Sequence, residues 1–365
     1  MQIKTITCHD VYNLGASLQA YALMKYLENC GHDVEIIDYK PFYLDHYFDF
    51  TMVSPRFDKP IIKWLYLIAK FPSRIAALKT RDAFDLFKRK YLKITNTRYT
   101  TNDDLKNNLP PADCYICGSD MIWNSEHHNG KDPAFFLEFV PDNKRKIAYA
   151  ASFAIEYIVP EYKMKNQQWI NRLDAISVRE DTALKILADI NIKRGVHVVD
   201  PVFLLSATEW NKIARFPTES ERYIFVYDFE KNPLIKKIAI QYAKKENCKI
   251  FSVYPTSYAD RSFPHLAPDE FLAMIKNANL VITNSFHGIA FSIIYRRNFF
   301  TIKRQGQAVN SRMESLLRMC NLENRLITDE KNADQILNSN IEYDTISSQL
   351  EEKIAFSKKY LEENI

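Results

Sequence analysis

The segment Thr283-Asn284-Ser285-Phe286-His287-Gly288 lies where one apolar run, Leu280 to Thr283, gives way to another, Ile289 to Tyr295. The first run is short and partly β-branched, as in a buried strand, and the second suits a buried helix. Asn284 and Ser285 are good helix-capping residues, so the polar tetrad from Asn284 to His287 marks a strand-to-helix turn. Turns of this kind, at the carboxyl edge of a parallel sheet, are where α/β proteins bind ligands. A helix start presents unpaired N–H groups and a positive dipole end to a phosphate or carboxylate. Gly288 allows close backbone approach to such an anion. His287 carries a proton near neutral pH. The chemistry on offer is anion binding coupled to proton transfer. A lone histidine at a helix start also serves as a cap or a satisfied core group, so other residues must decide.

The elements that position this turn alternate along the whole chain. Ile3 to Thr7 reads as a strand, and a polar loop through Asn13 leads to a helix from Gly15 to Cys30. Ala16, Ala20, Leu23, Leu27 and Cys30 draw one apolar stripe along that helix. Gly31 closes it, and Val34 to Tyr39 is the next strand, which completes a βαβ unit. Further strands are expected at 113–118, 146–152, 175–180, 223–227, 249–253 and 299–302. Helices are expected at 161–173, from Asp181, and at 233–245, 268–278, 313–320 and 345–363. Residues 40–100 differ: aromatic, basic and helical, punctuated by Pro41, Pro55, Pro60 and Pro72. Within them, Ile61 to Lys70 is basic and apolar enough for a membrane surface, although packing on its own domain is the simpler account. The pattern predicts two doubly wound α/β domains facing a cleft. They span 1–197, with the helical insertion at about 40–100, and 198–340; a terminal helix over 341–365 packs back on the first.

At 365 residues the chain has room for two domains of roughly 150–200 residues. Its 47% hydrophobic content supplies two cores. A net charge of +4 is too small to argue for nucleic acid, yet it suits an anionic substrate. Met1-Gln2-Ile3-Lys4 leads into a strand and not into an apolar signal region, and no run reaches membrane-spanning length. Cys114 and Cys117 have CxxC spacing but sit on a strand, where residues three apart face opposite sides. Reduced thiols and a cytoplasmic location, either free or at the inner membrane face, are the expectation. The sequence contains no His/Asp/Glu cluster with metal-ligand spacing, and no cofactor is expected.

Seven segments together resemble the polysaccharide pyruvyl transferase family, in that family's order. They are Asn13 to Leu23, Gly118-Ser119-Asp120-Met121-Ile122-Trp123-Asn124, Tyr149 to Phe153, Ile176-Ser-Val-Arg179-Glu180, Asp200-Pro201, Thr283 to Gly288, and Asn310 to Leu317. The resemblance implies two Rossmann-like domains in a glycosyltransferase-B-like arrangement. It also implies phosphoenolpyruvate as donor co-substrate, and as acceptor a surface-polysaccharide sugar, with or without a lipid diphosphate carrier. Ketal formation needs a general acid at the enol carbon, a base at the attacking hydroxyl, and cations around phosphate and carboxylate. By resemblance, His287 is the acid/base group and Arg179 holds the donor, its guanidinium suiting bidentate contact. An ion pair of Arg179 with Glu180 or another carboxylate is the structural alternative. Asn284, Ser285 and Gly288 line the donor site, with Lys303, Arg304 and Arg312 as further cations or as solvated surface charges. Asp120 is a base, an acceptor anchor or a helix cap. Ser119, Trp123, Asn13, Gly15 and Gln19 face the acceptor, Trp123 either stacking on a sugar or packing in the core. His9 and Asp10 join them or cap their loop.

Three positions depart from the family. Ser285 stands where many members have arginine, Met121 where glutamine is frequent, and Leu14 where an aromatic is usual. Two rival readings therefore stay open: a nucleotide-sugar-dependent glycosyltransferase of the same fold, and a carbohydrate-binding protein whose catalytic set has decayed.

Overall fold

The computed structural model describes residues 1–44, 59–215, 221–305, 309–329 and 339–365. The first half contains β1 (Gln2–Ile6), α1 (Leu14–Asn29), β2 (Asp33–Tyr39), α2 (Pro60–Tyr91), β3 (Ile94–Tyr99), α3 (Asn102–Asn107) and β4 (Cys114–Cys117). It continues with β5 (Arg145–Ala151), α4 (Pro160–Asn171), β6 (Ala175–Val178), α5 (Thr182–Asp189) and β7 (Gly195–His197). A short α6 (Ala207–Asn211) precedes β8 (Tyr223–Tyr227), α7 (Pro233–Glu246), β9 (Lys249–Ser252), β10 (Arg261–Ser262), α8 (Pro268–Asn277) and β11 (Leu280–Thr283). Last come α9 (Phe286–Ile294), β12 (Phe299–Ile302), α10 (Ser311–Met319), β13 (Leu326–Ile327) and α11 (Tyr343–Asn364).

All strands pair in parallel. The first sheet runs β3-β2-β1-β4-β5-β6-β7 and the second β10-β9-β8-β11-β12-β13. Each reverses direction once, between β1 and β4 and between β8 and β11. The loops after these four strands therefore lie at topological switch points, where doubly wound sheets bind ligands. The central strands β4, β8 and β11 are buried on both faces, which is why their sequences read as continuous apolar runs. Cys114 and Cys117 on β4 fall into two different hydrophobic clusters on opposite faces, and all six cysteines are free.

The single stripe expected on α1 is too narrow. From Leu14 to Leu27 the helix is buried almost all round, because it is wedged between the first sheet and the second half of the molecule. Tyr21 on α1 packs on Trp210 at 5.6 Å between ring centroids, and Trp210 meets Phe291 of α9 at 5.0 Å. One apolar cluster thus joins the two halves. The expected insertion at 40–100 resolves into one 32-residue helix and an edge strand, β3, paired with β2; Pro55 lies outside the described residues. The terminal helix α11 crosses back to the first sheet, where Tyr360 Oη donates to the Ala148 carbonyl and Ser357 Oγ accepts from Val199 N–H.

Candidate active site

The loops after β4 and β11 and the residue after β6 bring their side chains to one place. Ser285 caps α9, its Oγ accepting from Gly288 N–H at 3.4 Å, so His287 projects from the first turn. The imidazole rests against the start of α1 in the other half. A Cβ on Gly15 would fall 1.9 Å from His287 Nδ1 and 2.3 Å from Cγ, so only glycine leaves the ring its seat. Gly15 was expected on the acceptor side; in the structure it makes room for the histidine ring.

Around that ring four charged side chains meet. Arg179 Nη1 donates to Asp200 Oδ2 at 2.8 Å, and its Nη2 stands 3.6 Å from Asp120 Oδ1. Asp200 Oδ2 lies 3.8 Å from His287 Nε2, and Arg312 Nη1 lies 3.8 Å from Asp120 Oδ1. The Arg179 guanidinium also stacks over Phe286 at 4.8 Å, which fixes its plane. Arg179 and Asp200 side chains are wholly buried, and Asp120, at 15% exposure, is the most open member. Three buried nitrogens, Arg179 Nε and Nη2 and His287 Nε2, have no hydrogen-bond partner. Native folds rarely leave such groups unsatisfied. Three on side chains that share Asp200 suit a ligand rich in acceptors.

Burial pushes the His287 imidazole down to about 4, despite the opposing pull of Asp200, so the ring is neutral at neutral pH. Burial disfavours the charge on Asp120 too, but Arg179 and Arg312 beside it hold its carboxyl below the usual range. Arg312 is pushed down to about 10 by burial and by Arg179. Burial likewise opposes the charge on Arg179, and Asp200 and Asp120 overcome it, leaving the guanidinium firmly protonated. The cluster therefore combines a neutral imidazole, two carboxylates and two guanidiniums. It can grip an anion, supply an acceptor-only carboxylate as base, and load a proton onto the imidazole once negative charge arrives.

Other expected residues lie elsewhere. Lys303 pairs with Glu314 at the surface, and Arg304 pairs with Glu230 at 3.4 Å and stacks on Phe229, so only Arg312 of the three downstream cations enters the cluster. Glu180 does not pair with Arg179 through a hydrogen bond; it accepts from the Phe153 and Ala154 N–H groups. Asn284 is spent inside the fold, donating to Asp228 and accepting from Phe229 N–H. Gly288 serves helix-to-strand packing and not approach to an anion, since a Cβ there would meet Thr283 Oγ1 at 2.5 Å. Gln19 bridges Thr7 Oγ1 and Ser119 N–H, and Ser119 Oγ donates to Ala150 O and sits 3.3 Å from Asp200. Both are fully buried braces without a face for a sugar. Trp123 is enclosed as well, stacked on Phe136 with its indole N–H on Phe135 O, so sugar stacking is corrected to core packing. Asn13 caps α1. His9 faces Asp38, and Asp10 is shared by Lys40 and Lys88 away from the cluster.

Asp200 is the functional candidate that a residue-by-residue reading passes over. It stood in the sequence as half of the Asp200-Pro201 segment of the family pattern and as a strand end before a turn, with no role assigned to it. Among the described residues no three His, Cys, Asp or Glu side chains cluster as a metal site.

A family model described as polysaccharide pyruvyl transferase matches residues 13–306. No curated protein matches the sequence. Among solved structures, a protein described as a UDP-N-acetylglucosamine 2-epimerase from Listeria monocytogenes superposes with a TM-score of 0.53 at 10% identity, covering 98% of this chain and 94% of that one. The Neisseria meningitidis UDP-GlcNAc 2-epimerase bound to UDP-GlcNAc gives 0.46 at 9% identity over 99% and 94% of the two chains. The E. coli heptosyltransferase WaaC with ADP gives 0.40 at 10% identity over 97% and 100%. At such identity the Listeria likeness, with a TM-score above 0.5, speaks for the fold alone: two Rossmann-like domains in a glycosyltransferase-B-like arrangement.

Proposed function

The chain belongs to the polysaccharide pyruvyl transferase family, and we propose that it moves the three-carbon unit of phosphoenolpyruvate onto two hydroxyls of one sugar. The carrying observation is the set of unpartnered nitrogens on Arg179 and His287, held between two carboxylates where the halves meet. Phosphoenolpyruvate offers a phosphate and a carboxylate on one carbon, which is the acceptor-rich shape those nitrogens suit.

In the reaction, Arg179 and Arg312 take the donor's anionic groups. Negative charge beside His287 reverses the effect of burial and raises its proton affinity. The protonated ring then delivers its proton to the methylene carbon, leaving an oxocarbenium-like centre. A sugar hydroxyl attacks that centre and gives its proton to Asp120, which stays ionised for the purpose. The second hydroxyl attacks the same carbon as the C–O bond to phosphate breaks, and its proton leaves with the phosphate, while Asp120 gives up the first proton to restore the ionised carboxylate. One donor and one diol yield one ketal and one phosphate, so atoms and charge balance. The acceptor is a hexose or N-acetylhexosamine of a surface polysaccharide, carried on a lipid diphosphate, and the reaction takes place in the cytoplasm at the inner membrane face.

The test is to incubate the protein with phosphoenolpyruvate and a panel of glycosides, and to follow phosphate release with the ketal methyl resonance by NMR. Both signals must appear together and vanish with His287→Ala. Stabilisation by UDP or GDP in a thermal shift, with none from phosphoenolpyruvate, would favour the glycosyltransferase reading. Pathway output that survives His287→Ala would favour the decayed binding protein.

A further inference from the structure

Two features of the fold are left over by the reaction. One is the apolar side of α2, where Ile61, Trp64, Leu65 and Ile68 stay exposed, so packing of this segment on its own domain fails among the described residues. No described helix is long and apolar enough to cross a membrane. The other is a polar junction between the end of β6 in the first half and α10 in the second. Arg179, Glu180 and Asp181 follow β6 in the chain. Arg179 enters the charged cluster, Glu180 holds the Phe153 and Ala154 N–H groups, and Asp181 reaches α10. The Asp181 N–H donates to Ser315 Oγ at 3.1 Å. Its carboxylate receives the Arg318 guanidinium, with Nη2 2.9 Å from both oxygens and Nε 3.2 Å from Oδ2. Partial burial disfavours the charge on Asp181, yet Arg318 holds its carboxyl below the usual range. Among the described residues, every hydrogen bond from α10 to the first half ends on Asp181.

Arg312, Ser315 and Arg318 recur at every third position of α10, so they share one side of the helix. Arg312 enters the cluster, and the other two grip Asp181. The same two segments thus carry the cluster's arginines on the inside and the junction on the outside. The pairing matters because the two arginines repel. Burial and Arg179 together push Arg312 down to about 10. Its ion-pair partner Asp120 stands at 3.8 Å, beyond hydrogen-bond reach and too loose to fix a guanidinium. Like charges borne by separate halves stay together only if another contact holds the segments that carry them. A forked arginine–carboxylate pair fixes direction as well as distance, which suits that task. We propose that Asp181, Ser315 and Arg318 form a clasp between the halves that seats Arg312 beside Arg179. All three are positioning residues. The clasp rests on the reading that these two arginines grip the donor's anionic groups. Exposed ion pairs add little to global stability, and both Asp181 and Arg318 side chains are 43% exposed. The clasp acts instead on one local arrangement. If its loss leaves about a tenth of the molecules with converged arginines, apparent donor affinity falls about tenfold.

The experiment titrates the full chain with phosphoenolpyruvate and, separately, with inorganic phosphate in a calorimeter, using Asp181→Asn, Arg318→Gln and the double variant. Each single variant should bind both anions about tenfold more weakly, with a melting temperature close to that of wild type. The double variant should bind no more weakly than either single one, because both remove the same contact. The two substitutions change the net charge in opposite directions. A field effect alone would tighten anion binding in Asp181→Asn and weaken it in Arg318→Gln, whereas the clasp requires both to weaken it. Glu314→Gln, which breaks a surface pair of α10 with Lys303 inside the second half, should weaken neither anion. The clasp is overturned if wild type binds phosphoenolpyruvate and Asp181→Asn binds it as tightly, or if the two penalties add in the double variant. If the variants lose phosphate affinity as expected while wild type transfers nothing from phosphoenolpyruvate to any glycoside, the clasp stands and the transfer reading alone fails. Wild-type protein that binds neither anion overturns both.

Discussion

Replacing Gly15 with alanine tests whether the two halves share one catalytic centre. The new methyl group would lie 1.9, 2.3 and 2.5 Å from three atoms of the His287 ring. Ordinary contact is about 3.5 Å, so ring or helix must retreat by about 1.5 Å. The ring is buried and Asp200 stands beside it, so it has little room to move. Overpacking of this kind costs about 1–3 kcal/mol of stability. Misplacing a catalytic group by about 1 Å costs roughly a hundredfold in rate, so kcat/KM should fall by about 100- to 1000-fold. Phosphate release gives the rate, and thermal melts with and without phosphoenolpyruvate give stability and donor binding.

The double variant carries the weight. In the His287→Ala background the methyl group enters vacated space, so Gly15→Ala should cost almost nothing further in activity or stability. Gly31→Ala is the control. That glycine has φ +86° and nothing within 4 Å of the added carbon, so it should lose about 1 kcal/mol through its left-handed backbone and keep its kinetic constants. A Gly15→Ala protein with wild-type kcat/KM, or one whose penalties persist without the imidazole, would refute the reasoning.

Asp200→Asn leaves the buried Arg179 short of its closest partner and should cost about 3–5 kcal/mol in denaturant titrations. Arg312→Gln should weaken donor binding in calorimetry, whereas Lys303→Gln, whose lysine pairs with surface Glu314, should leave it unchanged. The folded His287 ring takes up its proton only near pH 4 and the unfolded one near 6.5, so the unfolded chain binds more protons between these values. Stability should therefore rise with pH across that window, by up to about 3 kcal/mol from this residue. His287→Gln should flatten the slope, and so should His197→Gln, since burial and Lys353 push His197 down to about 4 as well.

The sequence disclosed elements whose burial is simple and concealed those whose burial is shared. Buried parallel strands such as Tyr223 to Tyr227 read as unbroken apolar runs and were legible as strands. The edge strand β3, with Thr95 and Tyr99 buried and the residues between them exposed, carries too weak a pattern to separate from the helical segment before it. The stripe on α1 underestimated its burial because periodicity reports one partner surface, and this helix has two. The same limit governs the candidate site. His287 was legible because a histidine after two capping residues at a strand end is a local signal. Asp200 was visible as part of a family segment but its role was not, because that role depends on Arg179, twenty-one positions earlier, and on a ring from the other half. Trp123 and Gln19 look equally suited to a sugar and to a core, and only the neighbours packed around them decide.

The charge balance of the cluster constrains how any donor can arrive. Arg179 and Arg312 are offset by Asp120 and Asp200, and the imidazole is neutral, so the buried group carries no net charge before a ligand enters. An anion placed there without compensation would meet a large desolvation penalty. Proton uptake by the imidazole would relieve it. On the proposed reaction the donor enters past Asp120, the most open member, and His287 takes up a proton as the anion approaches. Binding and proton uptake are then one event. Calorimetry near pH 7 in buffers of different ionisation enthalpy should show phosphoenolpyruvate binding with net uptake approaching one proton, and His287→Gln should bind without it. Donor binding that takes up no proton in the wild-type protein would mean that the imidazole only hydrogen-bonds the phosphate. The proton for the methylene carbon would then have to come from elsewhere.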